Sequence, residues 1–125
     1  MIAYVSDKSG TSEIYASPFP RFDRYWQVST HGGTEPRWSR DGRELFYRRD
    51  DRMMSVRLSN DPANLFPSQP VQLWEHPHFQ GRAIPQYDVA KDGRFLMIRN
   101  EPGSSRLIVV VNWIEELKAR MAAGK

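Results

Sequence analysis

Glu75-His76-Pro77-His78 brings two imidazoles and a carboxylate within four residues. Such groups are the raw material of zinc sites and of acid–base catalysis. An extended His-Pro-His projects both rings to one side of the chain. A metal there would need a further ligand, from Glu75 or from His31, and the set would then suit a metal-dependent hydrolase. Ordinary loop histidines are the simpler reading, and no metal or other cofactor is expected. Ser104-Ser105, behind Gly103, reads as a turn and has no Gly-x-Ser-x-Gly context to make a nucleophile. His31-Gly32-Gly33-Thr34 runs into a strand pattern rather than a helix N-terminus, so it is no phosphate cradle. With no cysteine in the chain, thiolate metal sites, disulfides and cysteine nucleophiles are all excluded. The expectation is a protein that is not an enzyme.

The remaining chemistry is cationic. Between Arg37 and Arg57 stand seven arginines and four acids, with Trp38, Phe46 and Tyr47 among them. Guanidinium groups interleaved with aromatic rings can neutralise phosphates and stack bases, which makes a nucleic-acid surface the alternative to weigh. The whole chain carries only +3, too little for a concentrated basic footprint. The arginines are therefore expected to form a solvated rim, paired in part with Asp41, Glu44, Asp50 and Asp51. On this reading Arg48 and Arg49 are the most exposed. They join His76 and His78 as binding candidates, with a protein partner favoured over nucleic acid.

These residues must be positioned by short strands. Segments rich in β-branched and aromatic residues recur at Ile2–Val5, Glu13–Ala16, Trp26–Ser29, Arg37–Ser39, Glu44–Tyr47, Met54–Leu58, Val71–Trp74, Tyr87–Ala90, Phe95–Ile98 and Leu107–Val111. Between them lie Asp7-Lys8-Ser9-Gly10, His31-Gly32-Gly33, Asp41-Gly42, Asp50-Asp51, Asp92-Gly93 and Pro102-Gly103, which are turn chemistries. The pattern predicts an all-β, antiparallel protein. Asn60 to Pro85 is proline-rich, leaving Val71–Trp74 as an edge strand between surface loops. A single helix is predicted over 112–123. Asn112 and Glu115 form a capping box, and Trp113, Ile114, Leu117 and Met121 share one face. That helix is expected to pack on a sheet edge of its own chain, with a partner-binding helix as the alternative.

At 125 residues, 39% apolar and 26% charged, with a mean hydropathy of −0.66, the chain reads as one soluble domain spanning 1–125. No apolar run is long enough for a membrane span, and no signal peptide is visible, so the chain as written is expected in the cytoplasm. An extracytoplasmic place is the alternative if it is the tail of a longer protein.

The two Asp-Gly turns carry a repeat. Trp38-Ser39-Arg40-Asp41-Gly42-Arg43-Glu44-Leu45-Phe46-Tyr47 aligns on Val89-Ala90-Lys91-Asp92-Gly93-Arg94-Phe95-Leu96-Met97-Ile98 at a spacing of 51. Ile2-Ala3-Tyr4-Val5 aligns on Leu45-Phe46-Tyr47-Arg48 at 43. Four short strands recurring at such a period suggest propeller blades. Trp-Ser-Arg-Asp-Gly-Arg-Glu-Leu-Phe-Tyr resembles the repeat of TolB-like, WD-repeat-like β-propellers, although Arg40 and Lys91 stand where that family usually has proline. Tyr4-Val5-Ser6-Asp7 through Glu13-Ile14-Tyr15, Pro18-Phe19-Pro20 and Trp26-Gln27-Val28-Ser29 is similar to blades fused to bacterial serine/threonine kinases and transcriptional regulators. Val110-Val111-Asn112-Trp113 looks like the C-terminal tail of that group. The resemblance implies a partial propeller of about three antiparallel blades, over about 1–30, 36–74 and 86–111, followed by the helix. Asp41, Gly42, Asp92 and Gly93 would be its structural turns. It also implies a protein-interaction or sensory module. The strand groups are three, four and three, so both ends of the array expose apolar faces, and a homodimer closing a six-bladed ring is expected.

Overall fold

The computed structural model describes residues 1–59, 61, 63, 65–75, 87–101 and 104–110, with side chains as far as Ile98 in the last two stretches. The predicted helix over 112–123, and His76 and His78, lie outside the described residues.

Ten strands form among the described residues: β1 (Ile2–Ser6), β2 (Glu13–Ser17), β3 (Trp26–Gln27), β4 (Thr34–Trp38), β5 (Glu44–Arg49), β6 (Arg52–Arg57), β7 (Val71–Glu75), β8 (Tyr87–Val89), β9 (Phe95–Glu101) and β10 (Ser104–Val110). They make three antiparallel sheets, ordered β1-β2-β3, β4-β5-β6-β7 and β8-β9-β10. Each predicted strand is present, with shifted ends. β3 stops at Gln27 because the Val28 and Ser29 N–H groups both turn onto the Ile14 carbonyl, at 2.8 and 3.4 Å. Ser104 and Ser105, expected in a turn, begin β10 and pair with Glu101 and Asn100. Among the described residues no helix is long and apolar enough to cross a membrane.

The middle sheet is covered on both faces, which is why β5 and β6 are apolar at successive positions rather than alternating. Its near face, with Leu45, Tyr47, Met54 and Val56, packs against Ile14, Ala16 and Val28 of the first sheet. Its far face, with Phe46 and Met53, packs against Tyr87, Val89, Phe95 and Met97 of the third. The Phe46 and Phe95 rings meet edge to face at 5.1 Å between centroids, and Trp74 closes on Phe95 at 6.2 Å.

The hairpins correct the repeat by one residue. Ser39 donates its N–H to the Glu44 carbonyl, whereas Ala90 donates to Arg94, so the second Asp-Gly connection is one residue shorter. Beyond the turn Phe95 therefore takes the place of Leu45, and Met97 that of Tyr47. The ungapped spacing of 51 holds only up to Gly93. With this shift the stacking has one sense. The third sheet presents to the second the same face that the second presents to the first. In the first sheet Ala3, aligned on Phe46, also lies on the side packed against its successor.

Candidate functional site

Both Asp-Gly pairs sit in turns closed by the Gly42 N–H on the Ser39 carbonyl and the Gly93 N–H on the Ala90 carbonyl. Asp41 Oδ1 accepts from Ser39 Oγ at 2.6 Å and from the Arg43 N–H at 3.0 Å. Asp92 Oδ1 accepts from the Arg94 N–H at 3.2 Å, and its Oδ2 lies 2.7 Å from Arg94 Nε. These donors hold both carboxyl groups below the usual range, the Ser39 hydroxyl acting most on Asp41 and the Arg94 side chain on Asp92. Gly42 and Gly93 have φ of 71° and 82°, a conformation that a Cβ resists. The turns face each other across an open groove of about 330 Å³ between the second and third sheets, lined also by Arg40, Glu44 and Lys91.

Arg48 is not a rim residue. Its side chain is 2% exposed, and its Nε stands 3.5 Å from Glu35 Oε2 in a fully enclosed ion pair. Strand alternation explains the placement: Arg48 follows Phe46 on the far face, which the third sheet covers. Arg48 Nη2 also donates to the Asp50 carbonyl at 3.1 Å. Burial lowers the guanidinium's proton affinity, and the Glu35 carboxylate opposes that shift. Glu35 reaches the seam because a bulge between Thr34 and Arg37 gives it a left-handed backbone, φ 55°. Tyr87 Oη, from the third sheet, donates to the Glu35 carbonyl at 2.7 Å. Burial raises the Tyr87 phenol far above its ordinary value. Nothing in the amino-acid order singles out Glu35 and Tyr87. Buried acids are rare and need a partner, but nothing local pairs Glu35 with a residue thirteen positions on.

Arg49 points to the other side, half-buried, with Nη1 3.5 Å from the Thr30 carbonyl. It borders an open groove of about 410 Å³ with Thr11, Ser12, His31, Thr34 and Asp50, between the ends of the first and second sheets. Arg48 also lines this groove, so the two arginines share a border and differ in burial, the Arg48 side chain being enclosed and Arg49 half-buried. Beside this groove Glu13 ties the β3–β4 loop down: its carboxylate accepts from Ser29 Oγ and, at 2.9 Å, from the Gly32 N–H. A Cβ at Gly33 would stand 2.8 Å from Ser29 Oγ and 2.9 Å from Ile14 Cγ1, so this glycine is required by close approach.

Two other arginines of the run are paired, one with an expected acid, Glu44, and one with Glu75. Arg57 meets Glu44 at 3.6 Å and Arg52 meets Glu75 at 3.8 Å, exposed pairs of small energetic weight. Trp38 and Tyr47 pack inward. Among the described residues the Arg48 guanidinium is enclosed against Glu35 rather than set at the surface. Among the described residues no group of three or more His, Asp or Glu side chains is placed to hold a metal ion.

Tyr47 carries a testable feature. Its hydroxyl is buried without a hydrogen-bond partner among the described residues. Burial pushes its pKa up to about 12, Arg49 acting against that shift and Glu13 with it. Tyr47→Phe should therefore be neutral or stabilising by up to about 1 kcal/mol at pH 7, because it removes an unsatisfied polar group. The folded state holds the phenol proton more tightly than the unfolded chain does. This contribution is complete below about pH 10 and is lost as pH rises through about 12. Urea titrations across that range should show a shallower alkaline decline in Tyr47→Phe, and a parallel decline would rule out this role for Tyr47.

With this geometry in hand, comparison with known proteins returned no matching family model, curated protein or solved structure.

Proposed function

We propose that this chain is a set of β-propeller-type blades serving as a non-enzymatic scaffold for protein interaction or sensing. One observation carries the reading: sheets of three, four and three strands stack in a single sense, with the middle sheet buried on both faces. Propeller blades need that arrangement, because each covers the next. The resemblance of the Asp-Gly repeats adds to it. Rigid repeat scaffolds offer loops and grooves for recognition while their buried polar groups hold the frame, and the Glu35–Arg48 pair fits the latter role. Beyond the described strands, the segment over 112–123 would act as a terminal helix.

An experimental structure of the assembled protein tests the architecture, the expected result being sheets fanned around a common axis. A flat stack or a continuous barrel would sink the propeller reading. Chromogenic ester, phosphate and glycoside substrates test the non-enzymatic reading, and no turnover is expected. Turnover that persists through repurification and disappears with one substitution would make the protein an enzyme.

A further inference from the structure

We infer that the first sheet carries an aromatic cage for quaternary ammonium groups, held shut by the protein's own Lys8. The Lys8 ammonium lies over two rings at once, 3.1 Å from the Tyr25 centroid and 4.0 Å from that of Tyr15. Those rings stand 6.0 Å apart at 76°, so they form two walls of a corner with the cation between them. Tyr4 stacks on Tyr15 at 5.9 Å and braces the inner wall. Beneath these groups Tyr15 is 2% exposed, whereas Tyr25 is 61% exposed and Lys8 is also exposed. The inner wall is thus covered by a side chain that can leave.

Local structure sets the corner. Tyr15 is central in the sheet, on β2, paired with Tyr4 on one side and Gln27 on the other. Ser17 Oγ donates to the Arg24 carbonyl at 2.6 Å, which fixes the chain just before Tyr25. Lys8 stands in the β1–β2 turn, closed by the Gly10 N–H on the Asp7 carbonyl at 2.8 Å, and its own N–H meets Ser6 Oγ at 3.3 Å. The flexible four-carbon stem of Lys8 is therefore the part that can swing away.

The chemistry of the occupant selects the ligand. None of the ion pairs among the described residues includes Lys8, so its ammonium is held by ring faces rather than by a carboxylate. A primary ammonium is compact and strongly hydrated. A quaternary ammonium has no N–H to take from water, lays methyl groups on the rings and keeps the charge that the ring faces attract. The corner favours it over Lys8, whose exposed cation–π contact is weak enough to be displaced. That chemistry is shared by a free small cation and by a trimethyllysine side chain of another protein. Every residue of the cage belongs to the first sheet and its connections, so the inference goes beyond the scaffold reading and does not rest on it.

NMR titration of the full chain with choline at constant ionic strength is expected to shift the Tyr15 and Tyr25 ring resonances saturably, with a Kd on the order of a millimolar. Its uncharged isostere, with carbon in place of nitrogen, should bind roughly tenfold more weakly. Lys8→Ala removes the competitor and should tighten binding about threefold to sixfold, while Tyr25→Ala removes a wall and should weaken it by roughly tenfold. Both positions are exposed, and far-UV circular dichroism of each variant should match the parent. A trimethyllysine peptide binding more tightly than choline assigns the cage to a protein-borne cation, and a peptide binding no more tightly assigns it to a free one. No saturable shift in either the parent or Lys8→Ala, equal binding of the isostere, or affinities unchanged by Lys8→Ala or by Tyr25→Ala overturns the proposal. Sheets that fan about one axis without binding the cation would end the cage and leave the scaffold reading standing, and cation binding without the fan would do the reverse.

Discussion

Arg48→Met is expected to destabilise the fold by about 3–5 kcal/mol, because it leaves the Glu35 carboxylate enclosed without its cation. Domains of this size are stable by only about 5–15 kcal/mol, so the loss is a large fraction of the whole stability. Methionine matches much of the length of the arginine stem, which separates lost charge from lost packing. The double variant Glu35→Gln with Arg48→Met leaves no charge at this enclosed pair, so its cost should fall well below the sum of the two single costs. Urea unfolding of the four proteins measures this directly. Additive costs, or a loss below about 1 kcal/mol for Arg48→Met, would mean that the pair behaves as a surface contact. The same experiment bears on nucleic acid: a guanidinium needed by Glu35 is not available to phosphate.

Phe95→Ala should cost about 3–5 kcal/mol, as large truncations of buried aromatics do. Phe95 is fully buried where the third sheet meets the second, touching Phe46, Trp74 and Tyr87. The loss should be uneven, since the first seam does not include Phe95. Amide hydrogen exchange is expected to accelerate most in β8 and β9 and least in β1 and β2. Equal acceleration across all three sheets would show that the stack unfolds as one unit, and a cost under about 1 kcal/mol would show that the seam is not packed as described.

Local chemistry made much of this architecture readable. Turn residues and short β-branched and aromatic runs are local signals, and they placed all ten strands among the described residues. Asp41-Gly42 and Asp92-Gly93 announced their hairpins, and the successive apolar positions in Leu45-Phe46-Tyr47 suit the sheet covered on both faces that the structure shows. What escaped depends on distance in the chain. The one-residue difference between the Asp-Gly connections is invisible in an ungapped alignment, because the motif letters match while the pairing slips. It changes which face each later residue occupies.

Arg48 marks the boundary between the two kinds of information. From the amino-acid order it is one arginine in a run of seven, and its type alone favours solvent. Strand alternation puts it on the same face as Phe46, but only the third sheet turns that face into an interior. A bulge then brings in Glu35, and Tyr87 seals the seam from a strand some fifty residues away. The sequence by itself determined strands and turns, since those follow from backbone preference and side-chain pattern within a few residues. The tertiary structure decided which arginine is buried and which tyrosine lacks a partner, because burial and pairing depend on what another segment brings alongside.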